Sequence, residues 1–185
     1  MFFSQRQVLL GFILSLSFLF LSGQSPSARI TGIDFLEDTH LIFVGKLVEK
    51  ESYWSDDHRF ILTRHIFQVQ DSVKGDPGYR AEIIEYGGRV GELTQEITHT
   101  ARYQLNQEYL VFSYLDSFQR NRTLAGPLGR FQVINGGSDQ RIVRIYPSHP
   151  LASILGGQPW SPFQELNVLS AKLRATLEQL TIREE

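Results

Sequence analysis

The chain has 185 residues, no cysteine and a formal net charge of −2, a length suited to one domain, since domains usually run about 100–200 residues. Without cysteine there is no disulfide framework, no thiolate zinc ligand, no thiol nucleophile and no lipid-modified cysteine. The near-neutral balance excludes the basic footprint of a nucleic-acid-binding protein, and 42% hydrophobic with 21% charged residues describes a folded globular chain rather than a disordered one.

In chain order, Arg6 precedes an uncharged apolar run from Val8 to Leu21, and small and polar residues follow from Ser22 to Ala28. That order predicts a secretory signal peptide over residues 1–27, cleaved between Gly23 and Ala28. The run is shorter than the roughly 20 residues of a membrane-spanning helix. The expected destination is secreted or periplasmic, with membrane attachment only if the segment stays uncleaved.

Residues 28–160 read mostly as strands. Ile33–His40 is expected to make one or two helical turns. Leu41–Val48 is apolar on both alternating faces, as in a strand buried on both sides or one that starts in the core and ends outside it. Ser55-Asp56-Asp57-His58 forms a polar turn. Phe60–Ser72 follows as a long strand with Ile61, Thr63, His65, Phe67 and Val69 on one face. Lys74–Gly78 is a turn dense in breakers. Ala81–Tyr86 is a third strand, ended by Gly87-Gly88, and Val90–Thr98 is a hairpin arm. Glu108–Leu115 is a fourth core strand, rich in β-branched and aromatic types. Gly129–Ile134 and Arg141–Tyr146 pair across Asn135–Asp139, where glycines supply the positive φ of a tight hairpin. Pro147–Pro159 reads as a linker.

Ser161-Pro162-Phe163-Gln164 then has the form of a capping box with proline at the first helical position. Phe163, Leu166, Leu169, Leu173, Leu177 and Leu180 fall at helical spacing, so residues 161–185 are expected to form an amphipathic helix packed on the strands. The fold class predicted is mainly β (α+β), a small antiparallel OB-like β-barrel of five to six strands with a covering C-terminal helix. A β-sandwich is the second architecture and a lipocalin-type barrel the third.

Chemistry is sparse along the chain. The five histidines have no zinc-binding spacing, and His65, on an apolar strand face, reads as a hydrogen-bonded core residue. Gly87-Gly88-Arg89-Val90-Gly91 lacks the Lys-Ser/Thr of a phosphate-binding loop, and its glycines suit a bulge or close packing at a corner. No nucleophile elbow is present. Glu82, Glu85, Glu92, Glu96 and Glu108 are candidates for a carboxylate pair, but their spacing selects no two of them. Asn121-Arg122-Thr123 matches a glycosylation sequon. The aromatic pair Tyr53-Trp54 beside the turn carboxylates Asp56 and Asp57, together with Gly87, Gly88, Arg89 and Gly91, makes two candidate partner-contact loops. No catalytic residue, metal or cofactor is predicted.

The segments LIFVGKLVEKESYW, RFILTRHIFQVQDSVKGD, EYGGRVGELTQEI, ARYQLNQEYLVF and GRFQVI, in that order, resemble a group of secreted bacterial domains of unassigned role, over roughly Leu41 to Arg144. Ser72-Val73-Lys74-Gly75 and Asn106-Gln107 depart from that group's turn sequences. Such domains are similar to the OB-type barrel of tissue inhibitors of metalloproteinases and netrin-like modules. The resemblance implies a binding or inhibitory role and an extracellular protein partner. Those inhibitors hold the protease zinc through an N-terminal cysteine, which this chain lacks. The function expected is an exported, non-enzymatic binding module. A secreted hydrolase with paired carboxylates and a structural envelope protein anchored by its N-terminal helix are the alternatives.

Overall fold

Thr31 opens the first helical segment among the described residues. Its side chain accepts from Asp34 N at 3.2 Å, and the Asp34 carboxylate accepts from Thr31 N at 2.8 Å. This reciprocal box satisfies two donors and starts helix α1, Gly32–Glu37. The computed structural model describes residues 30–137, 140–155 and 161–184. The expected signal peptide lies outside the described residues, as do Ser138 and Asp139 of the expected hairpin turn and the end of the expected linker.

Two long strands follow, β1 (Leu41–Trp54) and β2 (Ile61–Lys74), paired antiparallel along most of their length. Then come β3 (Arg80–Tyr86), the short hairpin β4 (Gly88–Val90) and β5 (Leu93–Gln95), β6 (Glu108–Leu115), β7 (Asn121–Thr123), β8 (Arg130–Asn135) and β9 (Arg141–Arg144). A short helix α2 (Ala152–Leu155), strand β10 (Phe163–Glu165) and helix α3 (Leu166–Glu184) complete the described chain. The sheet has eight strands in the order β10-β9-β8-β6-β1-β2-β3, with β7 also on β6, and all its pairings are antiparallel. The protein is therefore mainly β, with one long C-terminal helix.

Apolar side chains leave both faces of the central strands. On one face Ile42 and Val44 of β1, Leu110 and Phe112 of β6, and Phe131 and Val133 of β8 meet Phe35, Leu36 and the Leu166, Leu169 and Leu173 stripe of α3. On the other face Phe43 and Leu47 of β1, Phe67 of β2, Ile83 of β3 and Val111 of β6 pack with Ala101, Tyr103 and Tyr109. Both buried tyrosine hydroxyls are satisfied: Tyr103 shares a hydrogen bond with Thr123 Oγ1 at 2.7 Å, and Tyr109 accepts from Gln104 N at 3.0 Å. This doubly buried stretch explains the apolar character of Leu41–Val48 on both alternating faces.

The sheet is not closed into a barrel by backbone pairing. Its β3 flank and strand β7 instead meet through side chains: the Glu85 carboxylate accepts from Thr123 N at 2.9 Å, and the Arg122 guanidinium lies 4.1 Å from the centre of the Tyr86 ring. The capping box expected at Ser161 also resolves differently. Gln164 Nε2 does donate to Ser161 O at 2.5 Å, and Ser161 Oγ accepts from Phe163 N at 3.3 Å. Residues 163–165 nevertheless form β10 against β9, and the helix starts at Leu166. The ladder to β9 offers these residues partners along a strand, which outweighs a local cap. Phe163 thus lies before the helical stripe and is exposed. The described part of the expected linker is packed: His149 and Leu151 are buried, and residues 152–155 form α2.

Leu173 is fully buried against the sheet, whereas Ile182 on the same helix is 73% exposed. Leu173→Ala is expected to lower unfolding stability by about 2–5 kcal/mol and Ile182→Ala by less than about 0.5 kcal/mol, measured by urea denaturation.

Candidate functional site

A β-bulge places the site. Leu47 faces Phe67 across the β1–β2 pair, but the register shifts between Leu47 and Glu49, so that Lys50 stands opposite His65 and Ser52 opposite Thr63. One extra residue on β1 thereby reverses its alternation and brings Lys50 and Ser52 to the face that Leu47 occupies. On β3, Ile83 stands beside His65 and Glu85 beside Thr63. The second core therefore runs out into two polar rows, Lys50–His65 and Ser52–Thr63–Glu85. Segment 94–102 passes over these rows and leaves a cleft of about 320 Å³, with Gly87, Gly88 and Arg89 on its rim.

The polar groups in these rows are held in definite states. Thr63 Oγ1 donates to the Gly87 carbonyl at 2.5 Å, and Ser52 Oγ lies 2.9 Å from Thr63 Oγ1. A carbonyl can only accept, so the chain of donors runs from Ser52 to Thr63 to Gly87. Lys50 Nζ donates to Tyr103 O at 3.2 Å. His65 is 2% exposed and its Nδ1 has no hydrogen-bond partner among the described residues. It is a core histidine, as its strand face suggests. Burial first, and the neighbouring Lys50 ammonium second, push its pKa down to about 4. Burial pushes the Glu85 carboxyl up, against the opposing pull of Thr123 and Arg122. The Arg122 guanidinium lies 3.6 Å away. Glu85 also borders a second cavity of about 420 Å³, beside Thr123 and Tyr114.

The two loops singled out in the sequence meet at the head of this cleft. Gly87 N donates to Ile61 O at 2.7 Å, Ile61 N donates to Gln95 Oε1 at 2.7 Å, and the Phe60 and Tyr86 rings are 5.3 Å apart, edge to face. Trp54 pairs with Ile61 at the end of the hairpin, its ring 6.3 Å from His58. Tyr53 points to the opposite face, where burial and then Glu82 push its phenol up. Asp56 and Asp57 are exposed at the turn. The Ser55 hydroxyl and then Arg59 N hydrogen-bond the Asp57 carboxyl and hold it below its ordinary range. Arg89 is exposed, its Nε donating to Gly91 O at 2.9 Å across the β4–β5 turn. Gly87, Gly88 and Arg89 border the cleft; Tyr53, Trp54, Asp56, Asp57 and Gly91 do not.

The five glutamates do not pair with one another. Glu85 is held by β7, Glu108 by Arg141 and Glu96 by Arg102, while Glu82 and Glu92 are exposed. Among the described residues, no three His, Asp or Glu side chains group as a metal site, and no helix is long and apolar enough to cross a membrane. The sequon residues Asn121–Thr123 form β7, with Thr123 buried and its N–H on Glu85. As cleft residues, Lys50, Ser52 and Thr63 carry no motif in the sequence, and Arg122 and Thr123 stand out only as part of a sequon. The one local signal for the first two is the turn at Ser55–His58, which implies that β1 continues past Val48 to reach it. Comparison with protein-family models, curated proteins and solved structures found no match.

His65 gives a pH-dependent stability whose sign is fixed. The folded protein keeps the ring neutral down to about pH 4, whereas the ordinary value is 6.5. Unfolding therefore takes up a proton between these values. The stability tied to His65 is present above pH 6.5 and is lost as pH falls toward 4, by about 3 kcal/mol in full. Denaturation midpoints should drop over that interval, and His65→Gln should remove most of the slope. His149, also held down by burial, leaves a residue of the same sign, and Glu85, held up, acts with the opposite sign.

Gly88 has φ +139°, and a Cβ there would run into the Ser52 and Thr63 hydroxyls. Gly88→Ala is expected to cost about 1–3 kcal/mol, read from the thermal unfolding curve.

Proposed function

We propose that the protein is an exported binding module without catalytic activity, secreted or periplasmic, that engages an extracellular protein. Its contact face is the Tyr53–Phe60 turn together with the Gly87–Gly91 loop. The observation that carries this reading is the convergence of the two loops, joined through Ile61 and Gln95. Around that junction stand Trp54, Phe60 and Tyr86 with the charged groups of Asp56, Arg59 and Arg89. Aromatic and arginine side chains beside a polar rim are the composition that protein interfaces favour. An OB-type barrel is the finer architecture we assign, with Glu85 spanning the gap where a backbone ladder would close the sheet. The resemblance we read in the sequence segments to inhibitor-type and netrin-like modules implies a binding role, through a mechanism that needs no cysteine.

The test is capture from the native extracellular fraction with tagged wild-type protein and with a Trp54→Ala, Arg89→Ala double variant. One protein partner, retained by the wild type and reduced at least about tenfold by the double variant, is the expected result. Equal capture by both, or turnover of a defined substrate by the purified chain, refutes the reading. Mass spectrometry of the recovered chain should find an N-terminus between residues 23 and 28.

A further inference from the structure

The cleft behind the bulge asks for a particular kind of ligand. Its lining carries Lys50, Arg89 and Arg102 against Glu85 and Glu96, a formal charge of +1 that matches one negative charge. Arg102 already faces Glu96 at 3.5 Å, while Lys50 pairs with no carboxylate among the described residues and donates only to a backbone carbonyl. Lys50 therefore offers a charged donor to an anionic oxygen. Beside it, His65 lines the same cleft, 2% exposed and with an unpartnered Nδ1. A buried polar atom without a partner calls for a bound group to complete it.

Ser52 makes the opposite demand. Its proton goes to Thr63, whose own proton goes to the Gly87 carbonyl, so the Ser52 oxygen is left as an acceptor and suits a ligand O–H. Lys50 and Ser52 are two residues apart on one strand face, a separation of about 7 Å. A ligand that satisfies both carries a carboxylate at one end and a hydroxyl several bonds away. The volume of about 320 Å³ equals roughly ten waters at about 30 Å³ each, enough for a molecule of about a dozen heavy atoms.

We propose that this cleft binds a small polyhydroxylated monocarboxylate of the sugar-acid type, its carboxylate on Lys50 and His65 and a hydroxyl donating to Ser52. The inference rests on the reading of the protein as a binding module and names a small ligand seated beside the protein-contact face.

The experiment is a titration of the full mature chain, labelled in its histidine rings, with sodium glucuronate, glucose and sodium acetate at constant ionic strength, followed by nuclear magnetic resonance. Glucuronate should shift the His65 resonances saturably. Glucose, which has the hydroxyls without the charge, and acetate, which has the charge without the hydroxyls, should each bind at least about tenfold more weakly. Lys50→Gln should reduce glucuronate affinity about tenfold, and Lys50→Arg should keep it; Lys50 is exposed, and the melting temperatures of the two variants verify folding. No saturable shift with glucuronate, equal binding of glucose, or an unchanged affinity in Lys50→Gln overturns the proposal. If glucuronate fails while the captured partner still depends on Trp54 and Arg89, only the ligand assignment falls. Turnover by the purified chain removes the binding-module reading itself.

Discussion

Leu41 to Leu47 of β1 and Tyr109 to Phe112 of β6 send apolar side chains to both faces of the sheet, so the sheet needs two covers. Antiparallel sheets often leave one face to water; this one cannot. The leucine stripe of α3 with α1 and α2 supplies one cover. For the other, β2 and β3 and the segment through Ala101 and Tyr103 fold back over the strands. Curling the sheet in this way carries β3 round until Glu85 reaches β7.

The polar cleft follows from where the second cover ends. Beyond Phe67, the rows of β1, β2 and β3 leave the aromatic cluster of Phe67, Tyr103 and Tyr109 and meet segment 94–102. His65, Thr63 and Glu85 are buried there without being packed in an apolar core, while Lys50 at the mouth stays exposed. Burial holds His65 neutral and raises Glu85, and the Arg122 and Thr123 contacts keep Glu85 from being an uncompensated carboxyl. Such a buried pair adds little net stability once desolvation is counted. Its effect is geometric: the carboxylate ties β3 to β7 at one defined point.

Several elements were legible because their cause is local. Glu108–Leu115 appears over those same residues, and the Asn-Gly-Gly signal marks the junction between the paired strands β8 and β9. The leucines of α3 that the helical period selects are buried at Leu166, Leu169 and Leu173. Errors fell where two local preferences competed. Ser161–Gln164 carries good cap chemistry, yet the open edge of β9 takes residues 163–165 as a strand. The polar and glycine-rich run after Pro147 looks like a linker, but His149 Nε2 bonds Leu128 O at 2.9 Å and Leu151 N donates to His149 Nδ1 at 3.1 Å. The first bond ties the segment to a residue 21 positions away, and the second is a local turn that orients the ring. Neither outcome can be read from spacing, because each depends on a partner distant in the chain.

Gly87, Gly88 and Trp54 were visible in the sequence because glycine pairs and turn aromatics announce themselves. Lys50 and Ser52 were not, since a one-residue bulge at Val48 decides which face of β1 they join, and a bulge leaves no reliable mark in alternation; Glu85 was one of five candidate carboxylates that spacing could not separate. By itself the sequence determined the strand-rich class, the amphipathic C-terminal helix, the absence of thiol chemistry and the places where the chain must turn. Those are consequences of side-chain period, backbone freedom and composition, all of them short-range. Only the tertiary structure decided that the sheet stops short of a backbone-closed barrel, that Glu85 bridges its flanks, and that a lysine, a histidine and a serine converge on one cleft. These depend on strand register and on the meeting of distant segments, where a shift of one residue exchanges the buried face for the exposed one.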